Sequence, residues 1–242
     1  MTKIGIIIPL YEAQKHKQVI EQNLKVKNVN FYLTSEIKDL EYFNFLKDKF
    51  KLHNNIRFID KTIYHKKGAS HSRNLLLDHV EEKYVINLDQ DDLLIESGIE
   101  ELQRIEGEYD LIFTPLTLEK NNIKIKKRTI IFKSRILNLL LIYFYYPPRI
   151  CTVVFNTKKL KALHGFPLIT SGGEEWLLFR KLFEKKLSFY QIQKSHTLKI
   201  ENGTNLSNTH KKDRLRSLED IVLSNSSHFQ ILIYKLGKIF KK

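Results

Sequence analysis

The sequence predicts an α/β protein with a Rossmann-like, open, mostly parallel sheet and helices on both of its faces. Three observations lead there. Short apolar runs alternate with helix-period segments through the first half of the chain. Polar and acidic residues follow directly on the apolar runs, where the ligands of such sheets sit. The composition, 42% hydrophobic with 28% charged residues over 242 positions, is that of a globular chain with enough apolar material for a large core.

In order, Ile4–Pro9 reads as a buried strand and Glu12–Val26 as a helix. Val29–Leu33 reads as strand, Ile37–Phe50 as helix and Ile56–Ile59 as strand. Ala69–His79 is helical, Tyr84–Leu88 strand, Ser97–Ile105 helix and Leu111–Phe113 strand. The second half departs from this rhythm. Leu116–Phe132 alternates around Asn121-Asn122 and is expected to form a hairpin. The apolar run Ile136–Tyr146 contains Asn138, stops at Pro147-Pro148 and is too short to span a membrane, which takes about 20 residues; it reads as a buried helix. Cys151–Phe155 is a strand, and Glu174–Glu184 a helix opening after Gly172-Gly173. Glu201–Asp213 is polar and loop-like. No linker separates these parts. The expectation is one domain over 1–220, in two halves at 1–115 and 116–220, and a basic amphipathic helix over 221–242.

The lone cysteine, Cys151, excludes an internal disulfide framework and a cysteine zinc knuckle, which fits a reducing, cytoplasmic setting. The run Ile4–Ile8 ends at Pro9, too early for a signal peptide. Lys and Arg total 41 against 27 Asp and Glu, a net charge of +14 that calls for an anionic partner. Basic clusters lie at 124–128 and 211–216, yet no helix-turn-helix, zinc finger or aromatic RNA-binding signature accompanies them, so nucleic acid is not expected as the partner. An anionic membrane surface remains open. Phe229, Leu232, Ile233, Leu236, Ile239 and Phe240 fall on one helical face opposite lysines 235, 238, 241 and 242, the pattern of an interfacial helix.

The stretch richest in chemistry is Asn87-Leu88-Asp89-Gln90-Asp91-Asp92. An apolar strand delivers three carboxylates into one turn. Crowded like charges raise one another's pKa, and a hard divalent cation resolves the conflict. A sugar-nucleotide nucleotidyltransferase also pairs aspartates with Mg²⁺, but it normally carries a glycine-rich phosphate loop near the first strand, and 9–17 contains no glycine.

Four further motifs accompany the acidic turn in a fixed order. They are Pro9-Leu10-Tyr11 after the first strand, Gly68 to Arg73-Asn74 opening a helix, His164-Gly165-Phe166, and Glu174-Glu175 opening a helix that carries Arg180. With Asp89–Asp92 they resemble the family 2 glycosyltransferases of the GT-A fold, over roughly residues 3–182. The resemblance implies an inverting transfer from a nucleotide-diphosphate sugar to a hydroxyl of a glycan or lipid-linked acceptor, of the kind used in cell-surface polysaccharide synthesis. It implies Mn²⁺ or Mg²⁺ held by Asp91 and Asp92, with Asp89 at the ribose or the metal shell. His210 is a further candidate metal ligand. Pro9, Tyr11, Gly68, Asn74 and Gln90 would line the donor site, and Arg73 would suit its diphosphate. Glu175 matches the general base, with Glu174 adjacent and able to trade roles. The pattern departs after the second strand, where an Asp usually reads the base and this chain has Thr34-Ser35-Glu36. Thr34, Ser35 or Glu12 would take that role. UDP is the expected nucleotide, with weaker discrimination among bases than is usual in the family.

Overall fold

The computed structural model describes residues 2–35, 39–61, 68–144, 147–169, 173–200 and 211–239; within the last segment side chains are described for 218–227 and 230–235. The strands are β1 (Ile4–Leu10), β2 (Asn30–Ser35), β3 (Ile56–Phe58), β4 (Tyr84–Asn87), β5 (Asp92–Leu94), β6 (Leu111–Phe113), β7 (Leu116–Lys120), β8 (Ile123–Lys127), β9 (Val153–Asn156), β10 (Phe189–Gln191) and β11 (Thr197–Ile200). The helices are α1 (Lys17–Asn23), α2 (Leu40–Lys49), α3 (Ala69–His79), α4 (Glu96–Gln103), α5 (Arg135–Phe144), α6 (Thr157–Ala162), α7 (Glu174–Glu184), α8 (Lys211–Ser224) and α9 (His228–Ile239).

Seven strands form the main sheet in the order β10-β6-β9-β4-β1-β2-β3. All its neighbours are parallel except β9, which runs antiparallel to both β4 and β6. The strands are apolar on both sides because both sides are covered. Ile4, Ile6 and Ile8 enter one core cluster with Phe31, Leu33 and Ile86, whereas Ile7 enters the other with Tyr32, Val85 and Trp176. β9 comes from the second half of the chain and lies between two strands of the first, so the halves share one sheet.

Three strands escape the sequence reading: β5, β10 and β11. β5, β11, β7 and β8 make a second sheet in that order. The expected hairpin is β7–β8, and its turn residues Asn121 and Asn122 both take positive φ, 51° and 62°, as a two-residue hairpin turn requires. The single helix expected over 12–26 is broken. Glu12 is left-handed at φ 54°, a 3-10 turn covers Ala13–His16, and α1 starts only at Lys17. Asp39 explains the break. Its carboxylate accepts the N–H groups of Glu12 and Ala13 at 2.7 and 3.0 Å, which fixes the chain as it leaves β1.

α4 is locked to the second sheet at Gly98. A β-carbon there would lie 2.1 Å from the Ser195 carbonyl oxygen and 2.6 Å from the His196 Cα, both backbone. A glycine inside a helix normally costs about 1 kcal/mol; here it permits the approach that brings β11 alongside β5. Gly98→Ala should therefore lower stability by about 3 kcal/mol or more, measured by urea unfolding, where the same change at an open helix site would raise it.

α9 packs along α5. Of the apolar stripe expected to face a membrane, Ile233 is buried in the core, while Leu232 is 54% exposed. Phe229, Leu236, Ile239 and Phe240 lie outside the described side chains. No described helix is long and apolar enough to cross a membrane.

Candidate functional site

β1 passes to β2 and β3 on one side, and the chain then returns to lay β4 on the other side of β1. That reversal opens a crevice at the carboxyl ends of β1 and β4, where open α/β sheets take their ligands. Tyr11 and the acidic turn sit at its mouth. The Gln90 side chain ties the two together: its Oε1 accepts the Tyr11 N–H at 2.7 Å and its Nε2 donates to the Tyr11 carbonyl. Pro9, Tyr11, Asp89, Gln90, Asp91 and Asp92 are thus gathered at one place.

Each of the three carboxylates has a distinct setting. Asp89 is braced by Arg73, which donates from Nη2 at 3.1 Å, and Asn87 Nδ2 lies 3.3 Å away. Burial opposes its charge, but Arg73 and Lys199 outweigh burial and hold its carboxyl below the ordinary range. Asp92 is fully buried on β5, and Lys199, its cross-strand neighbour on β11, lies 3.2 Å from Oδ1. Burial pushes the Asp92 carboxyl up to about 7 in spite of that ammonium, with Asp89 and Asp91 adding to the rise. Asp91 has no hydrogen bond or ion pair through its own side chain among the described residues.

Oxygens from all three come within 4.8 Å of one another. Asp92 Oδ2 has no hydrogen-bond partner among the described residues although it is buried. A hard cation with several oxygen ligands fits this donor set. Asp91 would bind it most freely, since Asp89 and Asp92 already answer to Arg73 and Lys199. His210 lies outside the described residues.

Neutral side chains hold the turn in place. Asn23, buried at the end of α1, donates to the Asp92 carbonyl at 2.8 Å and accepts the Leu94 N–H at 2.9 Å, so it acts as one more rung beside β5. Sequence reading missed Asn23, Asp39 and Lys199. Each sits singly in a pattern that looks solvated, and only Lys199, inside the alternation Leu198-Lys199-Ile200, leaves a faint trace as a charge in a short apolar strand.

Arg73 and Asn74 open the first turns of α3 but point differently. Arg73 is buried; its Nε donates to Asn87 Oδ1 at 2.9 Å, and Nη1 lies 3.9 Å from Glu174 Oε1. Its guanidinium therefore joins α3, β4 and α7 and balances carboxylates of the protein itself. Asn74 grips the Phe166 backbone with both ends of its amide, donating to the carbonyl at 2.8 Å and accepting the N–H at 2.7 Å. The two sequence motifs, Arg73-Asn74 and His164-Gly165-Phe166, are halves of this one clamp. Gly165 has φ +67°, and a β-carbon there would meet Asn74 Oδ1 at 2.3 Å. Gly68, the residue before α3, has φ +113°, and a β-carbon there would meet nothing within 4 Å among the described residues.

Glu174 and Glu175 begin α7, where the helix dipole favours acids. Glu174 faces Arg73. Glu175 Oε1 accepts the Ile150 N–H at 3.0 Å. Burial raises the Glu175 carboxyl above its usual value; the Ile150 N–H works against the rise and the Glu174 charge adds to it. A carboxylate anchored in this way and pushed toward neutrality has the properties of a general base.

The residues expected to read the base lie deeper than the sequence suggests. β2 runs on to Ser35, and Thr34 and Ser35 are both buried. Thr34 Oγ1 has no hydrogen-bond partner among the described residues. An unpaired buried hydroxyl is a cost with no compensating contact. Thr34→Val should leave UDP affinity within about twofold and hold or raise the melting temperature; a tenfold loss of UDP affinity would instead place the hydroxyl at the base. Glu12 remains at the rim, paired through its carboxylate with Lys15 at 2.8 Å.

A mostly parallel sheet reversed at β1/β4, one antiparallel strand within it, and an acidic turn at the reversal define the GT-A type of fold. Solved structures carry the same architecture. The chain superposes on S. aureus TarS 1-349 in complex with UDP-GlcNAc with a TM-score of 0.69 and 14% identity, covering 96% of this chain and 70% of that one. The same fragment in complex with UDP gives 0.61 at 14% identity over the same shares. A longer S. aureus TarS chain gives 0.61 at 15% identity, with 95% of this chain spanning 41% of it. At such identities the likeness is one of fold. No family model matches the chain, and no curated protein matches it in sequence.

Proposed function

We propose that the protein is an inverting, metal-dependent glycosyltransferase that moves a sugar from a UDP-sugar to a hydroxyl of a glycan or lipid-linked acceptor. We place it in cell-surface polysaccharide synthesis, on the cytoplasmic face of the membrane. One observation carries the reading: three carboxylates converge at the β1/β4 crevice, and a fourth, Glu175, is held with a raised pKa on the helix beside them. The solved complexes of TarS with UDP-GlcNAc and UDP, which share the fold, support the choice of donor.

Bound at Asp91 with Asp89 and Asp92, Mn²⁺ or Mg²⁺ would act as a Lewis acid, neutralising charge on the leaving diphosphate. The protein's own part is separate. Lys199 and Arg73 keep the carboxylate cluster from repelling itself apart before donor arrives. The Gln90–Tyr11 bridge fixes the acidic turn to the end of β1 at the mouth of the donor crevice. Glu175 takes the proton of the acceptor hydroxyl as that oxygen bonds to the anomeric carbon and the bond from that carbon to the diphosphate breaks. Attack from the face opposite the leaving group inverts the configuration.

The test is incubation with UDP-GlcNAc and other sugar nucleotides in Mn²⁺, followed by product analysis. Release of UDP, by slow hydrolysis or faster with acceptor, is the expected result. Release of pyrophosphate would instead make the protein a nucleotidyltransferase.

A further inference from the structure

Residues 123–137 form a surface ribbon of unusual composition. It comprises β8, the connection after it and the first turn of α5. In fifteen residues it has six Lys or Arg and no Asp or Glu. Ile123, Ile125, Ile130, Phe132, Ile136 and Leu137 are all exposed, six of the fourteen large apolar side chains that the described residues expose anywhere. Lysines on an edge strand commonly guard it against pairing with another sheet. That accounts for Lys124 and Lys126 but not for Ile123 and Ile125 beside them, nor for Ile130, Phe132 and Ile136 further along. Lys124 lies 3.7 Å from Glu119, and Arg135 donates to the Glu184 carbonyl at 3.3 Å. Among the described residues Lys126, Lys127, Arg128 and Lys133 have no carboxylate partner.

Soluble polyanions ask for cations alone, and protein partners usually ask for fewer of them. Apolar side chains set among unpaired cations, on a chain of net charge +14, complement one kind of surface: phosphate headgroups above acyl chains. We propose that the ribbon 123–137 seats the protein on an anionic lipid bilayer, with its cations at the headgroups and Ile130, Phe132, Ile136 and Leu137 at the upper acyl chains. This extends the peripheral location proposed above and moves its basis from the tail helix, whose Ile233 is buried, to the body of the protein. The placement matters for chemistry. β8 lies at the far edge of the sheet that starts with β5, so Asp92 is three strand spacings, about 14 Å, from the ribbon. An acceptor anchored in the same bilayer would stand within reach of the acidic turn.

The experiment is co-sedimentation of the full chain with vesicles of phosphatidylcholine alone or containing about 30% phosphatidylglycerol, at low and high salt, alongside UDP binding in Mn²⁺ on the same samples. The intact chain should pellet with the anionic vesicles only, and less at high salt. Ile130→Ser/Phe132→Ser/Ile136→Ser exposes no core and should weaken partitioning at least tenfold. Lys126→Gln/Lys127→Gln/Arg128→Gln should weaken it by about 100-fold, each cation near an anionic surface being worth about fivefold. Leu232→Ser on the tail should change it little. Binding insensitive to the ribbon variants, binding lost with Leu232→Ser alone, or loss only through the charges with full competition by soluble polyphosphate would each overturn the proposal. UDP binding reports separately: vesicle binding without UDP binding removes the transferase reading and leaves the surface standing.

Discussion

Asp91→Asn should abolish Mn²⁺-dependent binding of UDP and lower turnover by about 10³-fold or more, because several kcal/mol of charge stabilisation at the diphosphate go with it. Among the three acidic side chains this one is singled out by what its neighbours already do. Asp89 answers to Arg73 and Asn87, and Asp92 to Lys199. Asp91 alone brings charge to the cluster without a hydrogen bond or ion pair of its own side chain among the described residues. Its loss should therefore cost little stability, and the melting temperature without metal should stay near that of the parent. Asp89→Asn should behave differently, since it leaves the buried Arg73 guanidinium with only the longer 3.9 Å approach to Glu174 for a carboxylate, a loss of about 1–3 kcal/mol. Titration with Mn²⁺ followed by its paramagnetic signal, with and without UDP, separates the two. Metal affinity unchanged in Asp91→Asn would remove it from the metal site.

The contrast between these aspartates was not visible in the sequence, though the cluster was. Long apolar runs announced β1, β2 and β4 because the main sheet is covered on both faces, and the acidic residues after β4 stood out against them. The second sheet gave no such signal. β5 is three residues that begin with an aspartate, and β11 carries an inward lysine, so neither has the run or the clean alternation that marks a strand. The pairing of Lys199 with Asp92 spans 107 positions, and the Asn74 grip on Phe166 spans 92. The motif resemblance located Asn74 and His164-Gly165-Phe166 but not the contact between them. The helix over 12–26 was misread because its apolar spacing is continuous, while its backbone is broken from 27 residues away by Asp39. What stays illegible is thus of two kinds: strands too short or too polar to show a period, and single polar side chains whose partners, backbone or carboxylate, lie far along the chain.

Glu175→Gln separates chemistry from architecture more cleanly than any other change. Gln keeps the oxygen that accepts the Ile150 N–H at 3.0 Å, so α7 and the Ile150 turn should stay in register. It lacks the basicity to take a proton, and kcat should fall by about 10²–10⁴-fold with UDP affinity nearly unchanged. Stability should move the other way. The Glu175 carboxyl is raised in the folded protein, first by burial. Between its unfolded and folded pKa values the unfolded chain has already released this proton while the native chain retains it. Stability from this site therefore declines as pH rises through that interval and stays lower above it. Gln removes that penalty, so Glu175→Gln should melt at or above the parent temperature at neutral pH and show no advantage near pH 4. The parent's kcat should rise with pH along a limb set by the same raised group, and Glu175→Gln should lose that limb. A variant that is both inactive and markedly less stable at neutral pH would show that Glu175 serves α7 as a structural anchor, and the base would then be sought in Glu174, 3.9 Å from Arg73 on the donor side of the same helix start.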